Sequence, residues 1–111
     1  MIMLVTSTFD IADKKIVKTL GLVKGNTIRA RHVGRDIMAG LRGIVGGELH
    51  EYTKLLAESR EQALDRMIED AEKLGADAVV GVSFSTSVMS QGAAELMAYG
   101  TAVLIEDKRL T

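Results

Sequence analysis

From Leu55 to Leu74 the apolar side chains Leu55, Leu56, Ala63, Leu64, Met67, Ile68, Ala71 and Leu74 recur at helical spacing. Such a stripe fits a helix that buries one face, and Tyr52 extends it toward the N-terminus. Gly75 follows where a helix C-terminal glycine belongs, because glycine reaches the left-handed conformation without a Cβ clash. The opposite face carries Glu51, Lys54, Glu58, Arg60, Glu61, Asp65, Arg66, Glu69, Asp70 and Lys73. Glu69 and Lys73 form a favourable i,i+4 pair, and the face as a whole reads as solvated rather than as a binding surface.

Strand patterns flank this helix. Residues 2–6 (IMLVT) predict a short strand, and Lys15–Lys24 a second extended segment closed by a Gly25-Asn26 turn. Thr27–Val33 alternates and is expected to return as a hairpin with it. Ile37, Leu41, Ile44 and Val45 then recur at helical spacing ahead of the long helix. Beyond that helix, Ala76–Thr86 and Ala93–Ile105 predict two strands linked across Met89-Ser90-Gln91-Gly92. The expected order is therefore β-β-β-α-α-β-β.

The first helical segment is unusual. Asp36–Gly47, DIMAGLRGIVGG, holds four glycines inside an apolar helical pattern. A glycine inside a helix costs roughly 1 kcal/mol relative to alanine, so close backbone contact is the expected reason for Gly40 and Gly43. The Gly46-Gly47 pair predicts a kink before the long helix. Ala39, Gly40, Gly43 and Gly47 would form a thin stripe that lets another element approach, with Arg35 and Asp36 fixing the helix start. As a ligand site the same segment offers Arg35 and Arg42 as cations near helix N–H groups. It lacks the strand-glycine-helix order and the following Lys-Ser or Lys-Thr of a phosphate-binding loop.

The chain of 111 residues is expected to form one domain spanning 1–111. Fourteen basic and fifteen acidic residues are interspersed, which leaves no basic stripe for nucleic acid. The absence of cysteine excludes disulfides, thiolate metal sites and a cysteine nucleophile. The apolar run at the N-terminus is too short for a signal peptide or a membrane span, and the expected location is cytoplasmic. Hydrophobic residues make up 47% of the chain with only two Phe and two Tyr. That apolar content exceeds what a small monomer easily buries, and points to association.

Few residues suggest chemistry. Only His32 and His50 supply imidazole, so a divalent metal would need carboxylates such as Asp36, Glu48 or Glu51 beside them, with identical residues converging about a symmetry axis. The bland reading of these histidines is two surface or interface side chains. Gly81-Val82-Ser83-Phe84-Ser85 lacks the final glycine of the G-x-S-x-G elbow and lies in a predicted strand, which argues against a hydrolase triad. Ser83, Ser85 and Ser87 would instead form a hydroxyl stripe opposite Val82, Phe84 and Val88. Glu95, Tyr99 and Thr101 share strand parity with Met97, Val103 and Ile105. An intersubunit hydrogen bond or ion pair is the expected use of Glu95, and both it and Tyr99 would orient a ligand if that face lines a cavity.

The order of elements, the DIMAGLRGIVGG segment, Tyr52, KLGADAVVGV at Lys73–Val82 and AYGTAV at Ala98–Val103 together resemble the YbjQ family, also called UPF0145 or DUF74 and named for heavy-metal binding. The resemblance spans nearly the whole chain. It implies a small α+β subunit, an antiparallel sheet against helix, assembling as a ring-shaped homo-oligomer, a pentamer. Two departures bear on the metal. Where many members carry an acidic run after the Gly-Val of the late strand, this chain has Ser83-Phe84-Ser85-Thr86-Ser87, and Gly-Gly-Arg is here Gly46-Gly47-Glu48. The carboxylates best suited to a hard cation are missing from that strand.

The resulting expectation is a non-enzymatic, homo-oligomeric module that binds a small ligand or cation at subunit boundaries, with Arg35, Arg42, Gly43, Gly46, Gly47, Glu95 and Tyr99 as candidate ligand or interface residues. The alternative is an enzyme acting on a small anionic substrate held by the glycine-rich junction and Arg35 or Arg42.

Overall fold

The computed structural model of the chain describes residues 3–29, 47–90 and 93–108. Its elements are β1 (Leu4–Val5), β2 (Lys14–Arg29), α1 (Gly47–Lys73), β3 (Ala78–Ser90) and β4 (Ala93–Asp107). They form a two-layer α+β unit in which α1 packs on a four-stranded sheet of order β1-β3-β4-β2. β2 and β3 each pair antiparallel with β4, while β1 pairs parallel with β3, so the sheet is mixed rather than antiparallel throughout. The parallel join is short. Leu4 and Val5 lie beside Ala78 and Val79, and Thr6 N–H donates to Val79 O at 3.0 Å to hold it.

The expected hairpin at Gly25-Asn26 does not form. β2 runs straight through both residues to Arg29, pairing Gly25 with Ala98 and Asn26 with Met97 of β4. Gly25 faces the helix, where a Cβ would collide with the Ala63 carbonyl oxygen and the Met67 amide nitrogen. Close approach, not turning, explains this glycine. The rest of the expected strand, residues 30–33, and the first helical segment with its glycine stripe lie outside the described residues.

The long helix forms as its periodicity requires, and it starts at Gly47. Its C-terminus is closed by a Schellman pattern: Gly75 N–H donates to Glu72 O at 2.9 Å and Ala76 N–H to Ala71 O at 3.1 Å, with Gly75 at φ +77°. Ala63, Met67 and Ala71 lie one turn apart and are fully buried against Val23, Val79, Ala98 and Ala102. Burying Met67, Val23 and Val79 stabilises the fold by about 1.5–3 kcal/mol each, whereas the many alanines contribute little area but let the two layers approach. Arg66 and Asp70, on one flank of α1, reach the edge strand: Arg66 donates to Asn26 O, and Asp70 Oδ2 accepts from Lys24 N–H. These two side chains satisfy outward-pointing backbone groups of β2 and close that part of the edge.

A bulge divides β3. Register shifts between Val80 and Ser83, where Gly81 adopts φ +63°, and the Gly81 and Val82 N–H groups turn to the β1 side to donate to Thr8 O and Thr6 O. The bulge inverts the parity of the strand, so Val79 and Val82 both contribute to the helix-side core. Below it, Ala78, Val80 and Val103 form a second cluster on the opposite face with Ile11, Ile16 and Ile105.

Candidate functional site

The sheet face turned away from α1 is where the polar residues meet. Registers on either side of β4 define its rows: Ser87–Glu95–Ile28, then Ser85–Met97–Asn26, then Ser83–Tyr99–Lys24, then Val80–Thr101–Leu22. Residues directly opposite in a ladder project to the same side, so three strands place hydroxyls, an amide, a phenol, a thioether and one charge of each sign on one surface. Asn26, Ser83, Ser85, Glu95, Met97 and Tyr99 are half-buried, while Lys24 is exposed. Among the described residues neither Lys24 nor Glu95 takes part in an ion pair.

Of the residues predicted from sequence, Glu95 and Tyr99 do share this face. They stand four positions apart on one strand, a span of about 13 Å, too far for a concerted acid–base pair. Gly47 opens α1, and His50 falls in that helix's first turn, where its side chain lies outside the described residues. His32, Arg35, Arg42, Gly43 and Gly46 also lie outside them. The serine stripe is found as expected, with Ser83 and Ser85 half-buried on the face opposite Val82 and Phe84. The expected turn takes Asn26 out of the sheet and leaves Lys24 at the very end of its strand, so the sequence pairs neither of them with β4. Once β2 is continuous, its parity with Tyr99 and Met97 would have revealed both.

Among the described residues this surface carries hydroxyl, amide, phenol and thioether groups with Lys24 and Glu95 as its charges, and no histidine. A soft heavy-metal ion fits these residues poorly: the chain has no thiolate to offer, and among the described residues no three His, Cys, Asp or Glu side chains come together. A carboxylate, Glu95, and a thioether, Met97, do not make a coordination sphere. A concavity of about 570 Å³ lies at the far end of the sheet and is lined by Lys15, Glu106, Asp107 and Lys108. It is an open, charged depression next to the exposed Lys14–Asp107 ion pair.

Among the described residues no helix is long and apolar enough to cross a membrane. Residues 3–106 match the YbjQ family model, described as "Putative heavy-metal-binding". A UPF0145 protein of Methanosarcina acetivorans is 59% identical over 106 residues, covering 96% of this chain and 100% of its own. A second UPF0145 protein, from Dehalococcoides mccartyi, is 59% identical over 104 residues and covers 94% and 100%. A DUF74-family crystal structure from Pediococcus pentosaceus, of a protein with unknown function, matches with a TM-score of 0.63 at 17% identity, covering 94% of this chain and 98% of that one. At that identity the likeness concerns the fold alone.

Proposed function

Since the chain belongs to the YbjQ family of UPF0145 proteins, we propose that it is a non-enzymatic module that assembles with copies of itself and binds a small ligand where subunits meet. The observation that carries this reading is the half-open sheet face with its rows Ser83–Tyr99–Lys24 and Ser85–Met97–Asn26. Among the described residues α1 covers only the other face, so a ligand on these rows needs a second wall, and a neighbouring copy is the simplest source of one. The extended form supports the same idea: the radius of gyration is 17.6 Å, against about 13 Å for a compact chain of this length. A ring of five is the arrangement the family resemblance implies.

The face suits a ligand with several hydroxyl or amide groups and one small apolar patch. Tyr99, Ser83, Ser85 and Asn26 would supply donors and acceptors, Met97 the apolar contact, and Lys24 a cation at the rim. Enzymatic turnover would require an acid and a base converging on one atom, and the separation of Glu95 and Tyr99 speaks against that pair. Native mass spectrometry of protein isolated without added metal tests the reading. A multiple of the 12.0 kDa subunit that carries a retained small molecule is expected. A bare 12.0 kDa species would overturn it.

A further inference from the structure

The charges on the sheet face turned away from α1 stand at set places. Glu95 lies in the row it shares with Ser87, and Lys24, two rows away, lies in the row of Ser83 and Tyr99. Other charges near them are matched. Further along β4, Asp107 pairs with Lys14. At the β2 edge Asp70 accepts from the Lys24 main-chain N–H while Arg66 donates to Asn26 O, so those two opposite charges offset one another. Among the described residues neither the Lys24 ammonium nor the Glu95 carboxylate is in an ion pair.

Two rows along the strands and one strand across separate the main chains at Glu95 and Lys24 by about 14 Å. The interval holds Ser85, Met97 and Asn26, then Ser83 and Tyr99 beside Lys24, and these five side chains are half-buried. Rows of a sheet repeat every two residues, about 6.8 Å, which is also the repeat at which an extended peptide turns successive groups to one side. About four extended residues span the same 14 Å. A single amino acid holds its amine and carboxylate too close together to meet both charges, and an uncharged sugar meets neither.

We propose that the ligand of this face is a short linear peptide of three or four residues with free termini, its amine against Glu95 and its carboxylate against Lys24. This deepens the ligand-binding reading and rests on it. Ser83, Ser85 and Tyr99 hydroxyls and the Asn26 amide can each donate or accept, which suits the alternating N–H and C=O groups of a peptide backbone. Met97 takes an apolar side chain, and its unbranched thioether adapts to several shapes. Recognition by the two ends favours free fragments over interior segments of a longer chain, because an interior segment brings neither charge.

The test is titration calorimetry of the full chain with the tetrapeptide Ala-Leu-Ala-Ala, its N-acetylated form and its C-amidated form. Wild type is compared with Glu95→Gln and Lys24→Gln, with circular dichroism to verify folding. On wild type each block is expected to weaken binding about fivefold. Acetylation is expected to cost nothing on Glu95→Gln, and amidation nothing on Lys24→Gln, because the partner of the blocked end is already gone. Blocked peptides that bind wild type as well as the free one would overturn the proposal, and this arm needs no variant to fold. A block that costs as much on its matching variant as on wild type would overturn it too. Absence of peptide binding, with a small molecule still retained on the oligomer in native mass spectrometry, would overturn the peptide and leave the ligand-binding reading standing. Absence of binding together with a bare 12.0 kDa species would overturn both.

Discussion

The two faces of this sheet are built from different materials. Toward α1 the sheet presents Val23, Gly25, Val79, Ala98 and Ala102, and the helix answers with Ala63, Met67 and Ala71, so that small residues bring the layers together and all of these are buried. On the other side, beyond the Ala78–Val80–Val103 cluster, the same strands present serines, Tyr99, Asn26, Lys24 and Leu22. One face makes the fold; the other retains half-buried polar groups and the exposed Lys24 and Leu22. Adjacent positions of β4 serve both ends, since Ala98 is fully buried while its neighbours Met97 and Tyr99 look outward.

The sharpest way to break this contrast is to spoil the close approach. Gly25→Val drives a branched side chain into the Ala63 and Met67 backbone, which no rotamer can relieve. A loss on the order of 3 kcal/mol or more is expected, read as a lower urea midpoint at fixed protein concentration. Next in size is Asp77→Ala. Asp77 Oδ2 accepts from Ile105 N–H at 3.0 Å and its own N–H donates to Val103 O, pinning the start of β3 to β4. Removing the carboxylate leaves a part-buried donor without its partner, so a cost of about 1–2 kcal/mol is expected in the same measurement, with Asp77→Asn milder.

The open face is expected to respond in the opposite manner. Tyr99→Phe and Ser85→Ala should shift stability by no more than about 0.5 kcal/mol, because both side chains are part-exposed, while reducing the thermal shift given by hydroxyl-rich or anionic small molecules. A large loss of stability without any change in ligand response would make this face structural after all. Smallest of all is the expected response to metals. With serines at 83, 85 and 87 and no cysteine, titration calorimetry with zinc, copper or cadmium is expected to show no submicromolar site, and His32→Ala or His50→Ala to change nothing. Tight binding abolished by either histidine change would restore a metal centre built between subunits.

Much of the helix-side face was legible in the sequence, for a local reason. The apolar stripe of α1 and the glycine that stops it are written in residues a few positions apart, and the alternation of β3 and β4 gave both strands and the shared face of Glu95 and Tyr99. The error at Gly25-Asn26 has the opposite origin. Those two residues have turn chemistry, and the helix backbone that makes Gly25 necessary comes from residues about forty positions later. Close approach through glycine is expected within 40–47, of which 40–46 lie outside the described residues, and it is seen at Gly25, packed against α1. A turn there ends the strand at Lys24 and takes Asn26 out of it, which hides Asn26 from the candidate surface. The mixed sheet escaped for a similar reason: a two-residue parallel strand is defined by hydrogen bonds to the distant Val79, Gly81 and Val82 and leaves no periodic signal of its own.

Sedimentation velocity of the wild-type protein, followed from low to high micromolar concentration beside Leu22→Lys, tests most directly whether the second face serves assembly. Wild type is expected to sediment as a closed multiple of 12.0 kDa and the variant, equally folded, as a single chain. Wild type sedimenting at 12.0 kDa throughout that range would contradict it.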